Sequence, residues 1–187
     1  SLFDVPLHYN LFNACHSNGT YDMRTIFNNT LVAENQNSAV TFVDNHDVNR
    51  ISSTLTDERK LPLVFGLLMA VPGIPCIYYG SEWGIKGEKI QGVTDAPLRP
   101  ELDAPAPNDL SDLVSKYIHM RRGHKALSMG DYKDLVLTNK QYVLERNYEG
   151  EIVNAVEYSR KMSSVFSSAF YFKDKYCISA VGTYETA

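Results

Sequence analysis

The sequence predicts an α/β fold that gives way near residue 130 to an antiparallel β module, expected to be a small β-sandwich. Three observations carry this. First, Ala39–Val43 is a β-branched and aromatic run, Glu58–Val71 has helical spacing, and Ile74–Tyr79 is a second short apolar run. Strand, helix and strand in that order form a βαβ unit, with parallel pairing and a right-handed crossover. Second, a polar or glycine-containing loop follows each of the two runs, at Asp44–Arg50 and Gly80–Gly84. Function sits on such loops in parallel α/β sheets. Third, beyond Gly130 the pattern changes to short alternating stretches divided by turn residues. The expected division is residues 1–129 and 130–187.

The elements follow in order. Leu2–Pro6 is apolar and ends in proline, which predicts a short buried strand, and Tyr9–Cys15 has helical spacing. The Asn-rich stretches at Asn28–Thr30 and Glu34–Ser38 read as turns. In the Glu58–Val71 helix, Leu61, Phe65, Leu68 and Met69 share one face, and Pro62 lies in the first turn, where its missing N–H is harmless. Lys86–Asn108 is rich in glycine and proline and is expected to be an irregular loop. Asp109–Gly123 returns to helical spacing, with Ser111 or Asp109 as cap. The predicted strands of the β module are Tyr132–Leu137, Gln141–Arg146, Ile152–Tyr158, Val165–Phe172 and Tyr176–Val181. Asn139, Glu149-Gly150 and Asp174 mark turns between them.

Composition narrows the function classes. The chain has 187 residues, 44% of them hydrophobic and 21% charged, with a net charge of −4, as in a folded globular protein. Its dispersed basic residues and pI near 5.7 argue against nucleic acid as a partner. No run approaches the roughly 18 apolar residues of a membrane span, so no membrane is expected as a partner. No leader is visible at Ser1–Pro6; the compartment stays open, with the cytoplasm favoured over secretion. Cys15, Cys76 and Cys177 are widely spaced and odd in number, and read as a reduced structural set.

Asp44-Asn45-His46-Asp47 places carboxylates and an imidazole at a strand end. Such a group suits acid–base catalysis, metal binding or recognition of sugar hydroxyls, and equally a solvated Asx-rich loop. Neighbours on an extended strand point to opposite faces, so His46 and Asp47 share a pocket only if the chain turns there. Glu82 follows the next parallel strand and reads best as a supporting carboxylate. Trp83, Tyr78 and Tyr79 fit an aromatic platform or the core, and Asp95 and Arg99 fit a surface pair or a grip on ligand hydroxyls. The histidines show no metal-ligand spacing, and no metal is assigned.

Phe42-Val43-Asp44-Asn45-His46-Asp47 and Gly73-Ile74-Pro75-Cys76-Ile77-Tyr78-Tyr79-Gly80-Ser81-Glu82-Trp83-Gly84, in this order and at this spacing, resemble two signature regions of the α-amylase superfamily, glycoside hydrolase family thirteen. Phe3-Asp4-Val5-Pro6-Leu7 resembles the sixth barrel strand of that family, and the likeness runs to about residue 150. The resemblance implies the C-terminal portion of a (β/α)8 barrel, about three βα units, since a whole barrel needs roughly 250 residues. It implies a retaining glycosidase acting on α-1,4-glucosidic bonds of starch, maltodextrin or cyclodextrin. Asp47 takes the place of the transition-state-stabilising carboxylate and His46 that of a histidine binding sugar hydroxyls. Asp95-Ala96-Pro97-Leu98-Arg99 resembles a loop whose Asp and Arg bind a further glucose unit.

The family's nucleophile and general acid belong to earlier strands, and Asp44 and Glu82 match neither. The chain is therefore expected to be a piece of such an enzyme, inactive alone, with an α-glucan oligosaccharide as partner and association through open sheet edges. No cofactor is expected in this piece, although calcium occurs in the family. The alternative is a non-catalytic carbohydrate-binding or amylase-like interaction module.

Overall fold

A computed structural model describes residues 2–15, 37–90, 92–103, 106–138, 141–159, 166–172 and 175–182. The chain enters at Phe3, which pairs as a single parallel bridge with Val40. Helix α1 then runs Val5–Cys15. The expected strand at Leu2–Pro6 thus shrinks to one bridge. The buried Asp4 explains the change, because its carboxylate accepts the Leu7 amide at 3.0 Å and starts the helix. Pro6 lies in the first turn of that helix, where it opens the element instead of ending one. Of the Asn-rich turns, Asn28–Thr30 lies outside the described residues, whereas Asn37 is a turn residue with φ 68°.

Strand β1 (Val40–Phe42) pairs in parallel with β2 (Ile74–Cys76), in the register Val40–Ile74 to Phe42–Cys76. Between them lie the short helix α2 (Ile51–Thr54), a 3-10 turn at Glu58–Lys60, and α3 (Leu61–Ala70). Every residue of α3 is buried except Pro62, so the helix has no solvent face, contrary to the one-sided stripe expected. It packs against α1, against α4 (Asp109–Gly123) and against the β module. The cap of α4 is neither Ser111 nor Asp109 as such. Asn108 accepts the Ser111 amide at 2.9 Å, and the Ser111 hydroxyl accepts the Asn108 amide at 2.8 Å, a reciprocal capping box.

After a short helix α5 (Lys125–Met129), the strands β3 (Asp131–Leu137), β4 (Gln141–Tyr148), β5 (Glu151–Ser159), β6 (Phe166–Phe172) and β7 (Lys175–Gly182) form one antiparallel meander in sequence order. Glu149 and Gly150 both have positive φ and make the β4–β5 hairpin turn. Asn139 and Asp174 lie outside the described residues. The expected sandwich is not formed among the described residues. Leu144, Ala155 and Phe170 stand opposite one another across β4, β5 and β6 as a buried row, and helices rather than a second sheet cover it. The Tyr117 ring of α4 lies 5.5 Å from that of Phe170. One buried cluster therefore continues from Leu7 and Leu11 through α3 to the sheet, with no gap at Gly130. Cys15 is buried and Cys76 exposed, so only the first of these two fits a structural role.

Candidate functional site

The loop after β1 does turn. The Asn45 side-chain oxygen accepts the backbone amides of Asp47 at 2.8 Å and Val48 at 3.2 Å, an Asx turn that throws His46 and Asp47 onto the same side. His46 Nε2 lies 3.2 Å from Asp47 Oδ2. The loop after β2 supplies the other half. A 3-10 turn at Ala96–Leu98 carries Asp95 and Arg99 at its two ends, and Arg99 Nη1 meets Asp95 Oδ2 at 2.6 Å. The second guanidinium nitrogen stands 3.6 Å from Asp47 Oδ1, within ion-pair range but beyond hydrogen-bond length.

His46, Asp47, Arg99 and Asp95 thus form one polar row at the C-terminal ends of two adjacent parallel strands. The side chains of His46 and Asp47 are 55% and 62% exposed, which leaves their outer lone pairs and N–H groups open to a ligand. A row of carboxylate, imidazole and guanidinium groups can accept and donate hydrogen bonds to several hydroxyls of one polyol at once.

Below the row lies a buried frame built on Asp44 and Arg50. Asp44, only 1% exposed, accepts the Ser81 hydroxyl with both oxygens at 2.7 and 2.8 Å and the Ile51 amide at 2.9 Å. Burial raises the Asp44 carboxyl above the usual range, against the lowering pull of these hydrogen bonds and of the Arg50 charge. Arg50 is fully buried. Its Nη1 donates to the Tyr79 carbonyl at 2.7 Å and to Ser81 Oγ at 3.1 Å, and its Nη2 donates to the Leu98 carbonyl at 2.8 Å. The guanidinium carbon also lies 4.1 Å from the Tyr78 ring centre and 5.1 Å from that of Tyr79. An arginine directly before a helix, after a cluster of strand-end carboxylates, was the available signal.

The remaining candidates stand behind the row. Glu82 lies close enough to Asp44 to add to its upward shift, and one of its oxygens is buried without a hydrogen-bond partner. Trp83 turns its indole nitrogen into the interior, which argues against an open stacking platform there. Tyr79 is 42% exposed, and its hydroxyl donates to the Pro100 carbonyl at 2.9 Å. Tyr78 lies 6.4 Å from His46, centre to centre. Among the described residues no three His, Cys, Asp or Glu side chains cluster as a metal site would require, and no helix is long and apolar enough to cross a membrane.

Parallel strands backed by helices, with a polar row on their C-terminal ends, place this chain among α/β proteins with the barrel-type arrangement of site and sheet. The chain belongs to the α-amylase family: the family description "Alpha amylase, catalytic domain" matches residues 8–169. It is 49% identical over 88 residues to a glucan 1,4-alpha-maltohexaosidase of Bacillus sp. (strain 707), covering 46% of this chain and 17% of that enzyme. It is 29% identical over 168 residues to a cyclomaltodextrin glucanotransferase of Niallia circulans, covering 88% of this chain and 23% of that protein. The solved structure of CldA, a cyclomaltodextrin glucanotransferase with a three-domain ABC distribution, superposes with a TM-score of 0.73 at 25% identity. That match covers 90% of this chain and 35% of CldA. The chain therefore spans about a fifth of the length of the curated relatives it matches.

Proposed function

We propose that the row at the strand ends is a binding surface for an α-1,4-linked glucan and forms part of the active site of a retaining glycosidase. Asp47 grips ring hydroxyls of the glucose unit at the cleavage point. Such bonds tighten as the ring approaches an oxocarbenium-like transition state and contribute several kcal/mol there. His46 donates to a neighbouring hydroxyl, and Asp95 and Arg99 hold the next unit along the chain. The observation that supports this reading best is Arg99, whose two terminal nitrogens face Asp95 and Asp47 at once, so that two loops form one continuous surface. The maltohexaosidase and glucanotransferase names of the relatives point to the same substrate class.

Retaining cleavage needs a nucleophile and a general acid flanking the bond. The matched motifs provide neither role, so the 187-residue chain alone should bind without cleaving. Calorimetric titration with maltohexaose and a reducing-sugar assay test both parts. The chain should bind, Asp47→Ala should weaken binding about tenfold or more, and neither should release sugar. Equal affinity in Asp47→Ala, or no binding by the parent chain, overturns the site. Sugar release above the Asp47→Ala control overturns the proposal of an inactive chain.

A further inference from the structure

We propose that Arg50 is the positioning residue of this site: it sets the separation between the loop carrying His46 and Asp47 and the turn carrying Asp95 and Arg99. The inference rests on the glucan reading above. Arg50 belongs by its backbone to the first loop, three residues after Asp47. By its side chain it belongs to the second, since Nη2 holds the carbonyl of Leu98, the residue bonded to Arg99. The opposite nitrogen holds the Tyr79 carbonyl and the Ser81 hydroxyl in the loop that follows β2. The fork is rigid, so its two nitrogens fix these segments relative to each other, and the Leu98 side chain is itself fully buried.

Close backbone approach completes the device. The Arg50 amide donates to the Gly87 carbonyl at 2.9 Å, and a Cβ at Gly87 would lie 2.3 Å from the Pro97 carbonyl oxygen. Nothing larger than glycine fits between Arg50 and the turn. The gap of 3.6 Å between Arg99 and Asp47 is therefore set from below, by a group that touches neither. Binding surfaces need placement within roughly 0.5 Å, so a small slip of the turn is enough to separate the two halves of the row.

The test compares two buried arginines that both hold backbone carbonyls. Arg121 donates to the carbonyls of Met69, Val71 and Gly73, away from the site. Arg50→Lys and Arg121→Lys, made in the full chain, should both lower the urea midpoint. Only Arg50→Lys should weaken maltohexaose binding, by about tenfold, and only it should shift the Arg99 Nε–H resonance. Parent affinity in Arg50→Lys, with binding still lost in Asp47→Ala, overturns the positioning role and leaves the glucan site standing. Equal affinity losses in the two lysine variants reduce Arg50 to a general stabiliser and overturn it too. Should Arg50→Lys fail to fold, Gly87→Ala displaces the same turn with Arg50 intact. Unchanged affinity there overturns the proposal.

Discussion

Arg50 at the strand ends and Arg146 at the junction of α3 with the sheet are both fully buried, yet they close different kinds of gap. Arg146 donates to the carbonyls of Ala70 and Gly130 and to the Asn37 side chain, at 3.0, 2.8 and 3.0 Å. Together with Arg121, which holds the Met69 carbonyl, it meets two carbonyls in the last turn of α3, at the negative end of the helix dipole. Burial lowers Arg121 to about 9, with the Arg146 charge adding to the effect. Burial also lowers Arg146 to about 10, against the opposing pull of Asp131 and the two tyrosines Tyr142 and Tyr132. Both therefore stay protonated at neutral pH. Arg50 instead serves loops and a buried carboxylate network. The same side chain finishes a helix at one end of the molecule and ties together the loops after two parallel strands at the other.

The largest expected effect breaks the helix end alone. Arg146→Met leaves two buried carbonyls without donors and should cost about 3 kcal/mol, read from urea denaturation. Maltohexaose affinity should hold within twofold. An affinity loss matching that of Arg50→Lys would erase the contrast between the two ends. Next comes Asp44→Asn, which keeps the shape but gives up part of the acceptor capacity toward Ser81 and Ile51, at about 1–2 kcal/mol. Its pH dependence sharpens the comparison. Because burial raises the Asp44 carboxyl in the folded state, its ionisation opposes folding. The parent loses this stability as pH rises from near 4 through the folded value. The gap between parent and Asp44→Asn should therefore be widest in acid and narrow toward neutrality.

The βαβ core, α4 and all five strands of the β module were legible because their periodicity agrees with their environment. The short β1 and β2 runs and the strand over Gln141–Arg146 are read from residue pattern, whereas the burial of Arg146 on the same face as Tyr142 and Leu144 is not, because a charged residue gives no apolar signal. Leu2–Pro6 misled because the Asp4 cap, a local polar effect, outweighs an apolar run. The sandwich is not seen among the described residues, because strand pattern reports that a face is buried and not what covers it. His46, Asp47, Asp95 and Arg99 were named through motif resemblance, while their local sequence left several chemistries open. Arg50 carries only the weaker signal of an arginine set directly before a helix and after strand-end carboxylates. Its partners are backbone carbonyls 29 and 48 residues away, and no residue type in the sequence marks a carbonyl as an acceptor.

The smallest expected effect concerns Glu151, which clamps the helix–sheet junction as Asp44 clamps the strand ends, but titrates with the opposite sign. One Glu151 oxygen lies 2.7 Å from His124 Nδ1, and the other accepts the Ala126 amide at 3.0 Å in the first turn of α5. Burial alone would raise this carboxyl, but the amide and the imidazole outweigh it and hold it below the usual range. Its stabilisation is thus fully present above about pH 4.3 and lost as pH falls through the folded value. The side chain is 36% exposed, so the gain is that of a solvent-screened pair, roughly 0.5 kcal/mol. In the parent the two carboxyls oppose each other in acid, since protonation relieves Asp44 while it releases Glu151. Glu151→Gln should therefore flatten the acid limb of the stability curve, and Asp44→Asn should steepen it. Chemical denaturation at pH 3.5, 5 and 7 separates the two, and a shift in the same direction for both variants would show that the two ends do not titrate independently.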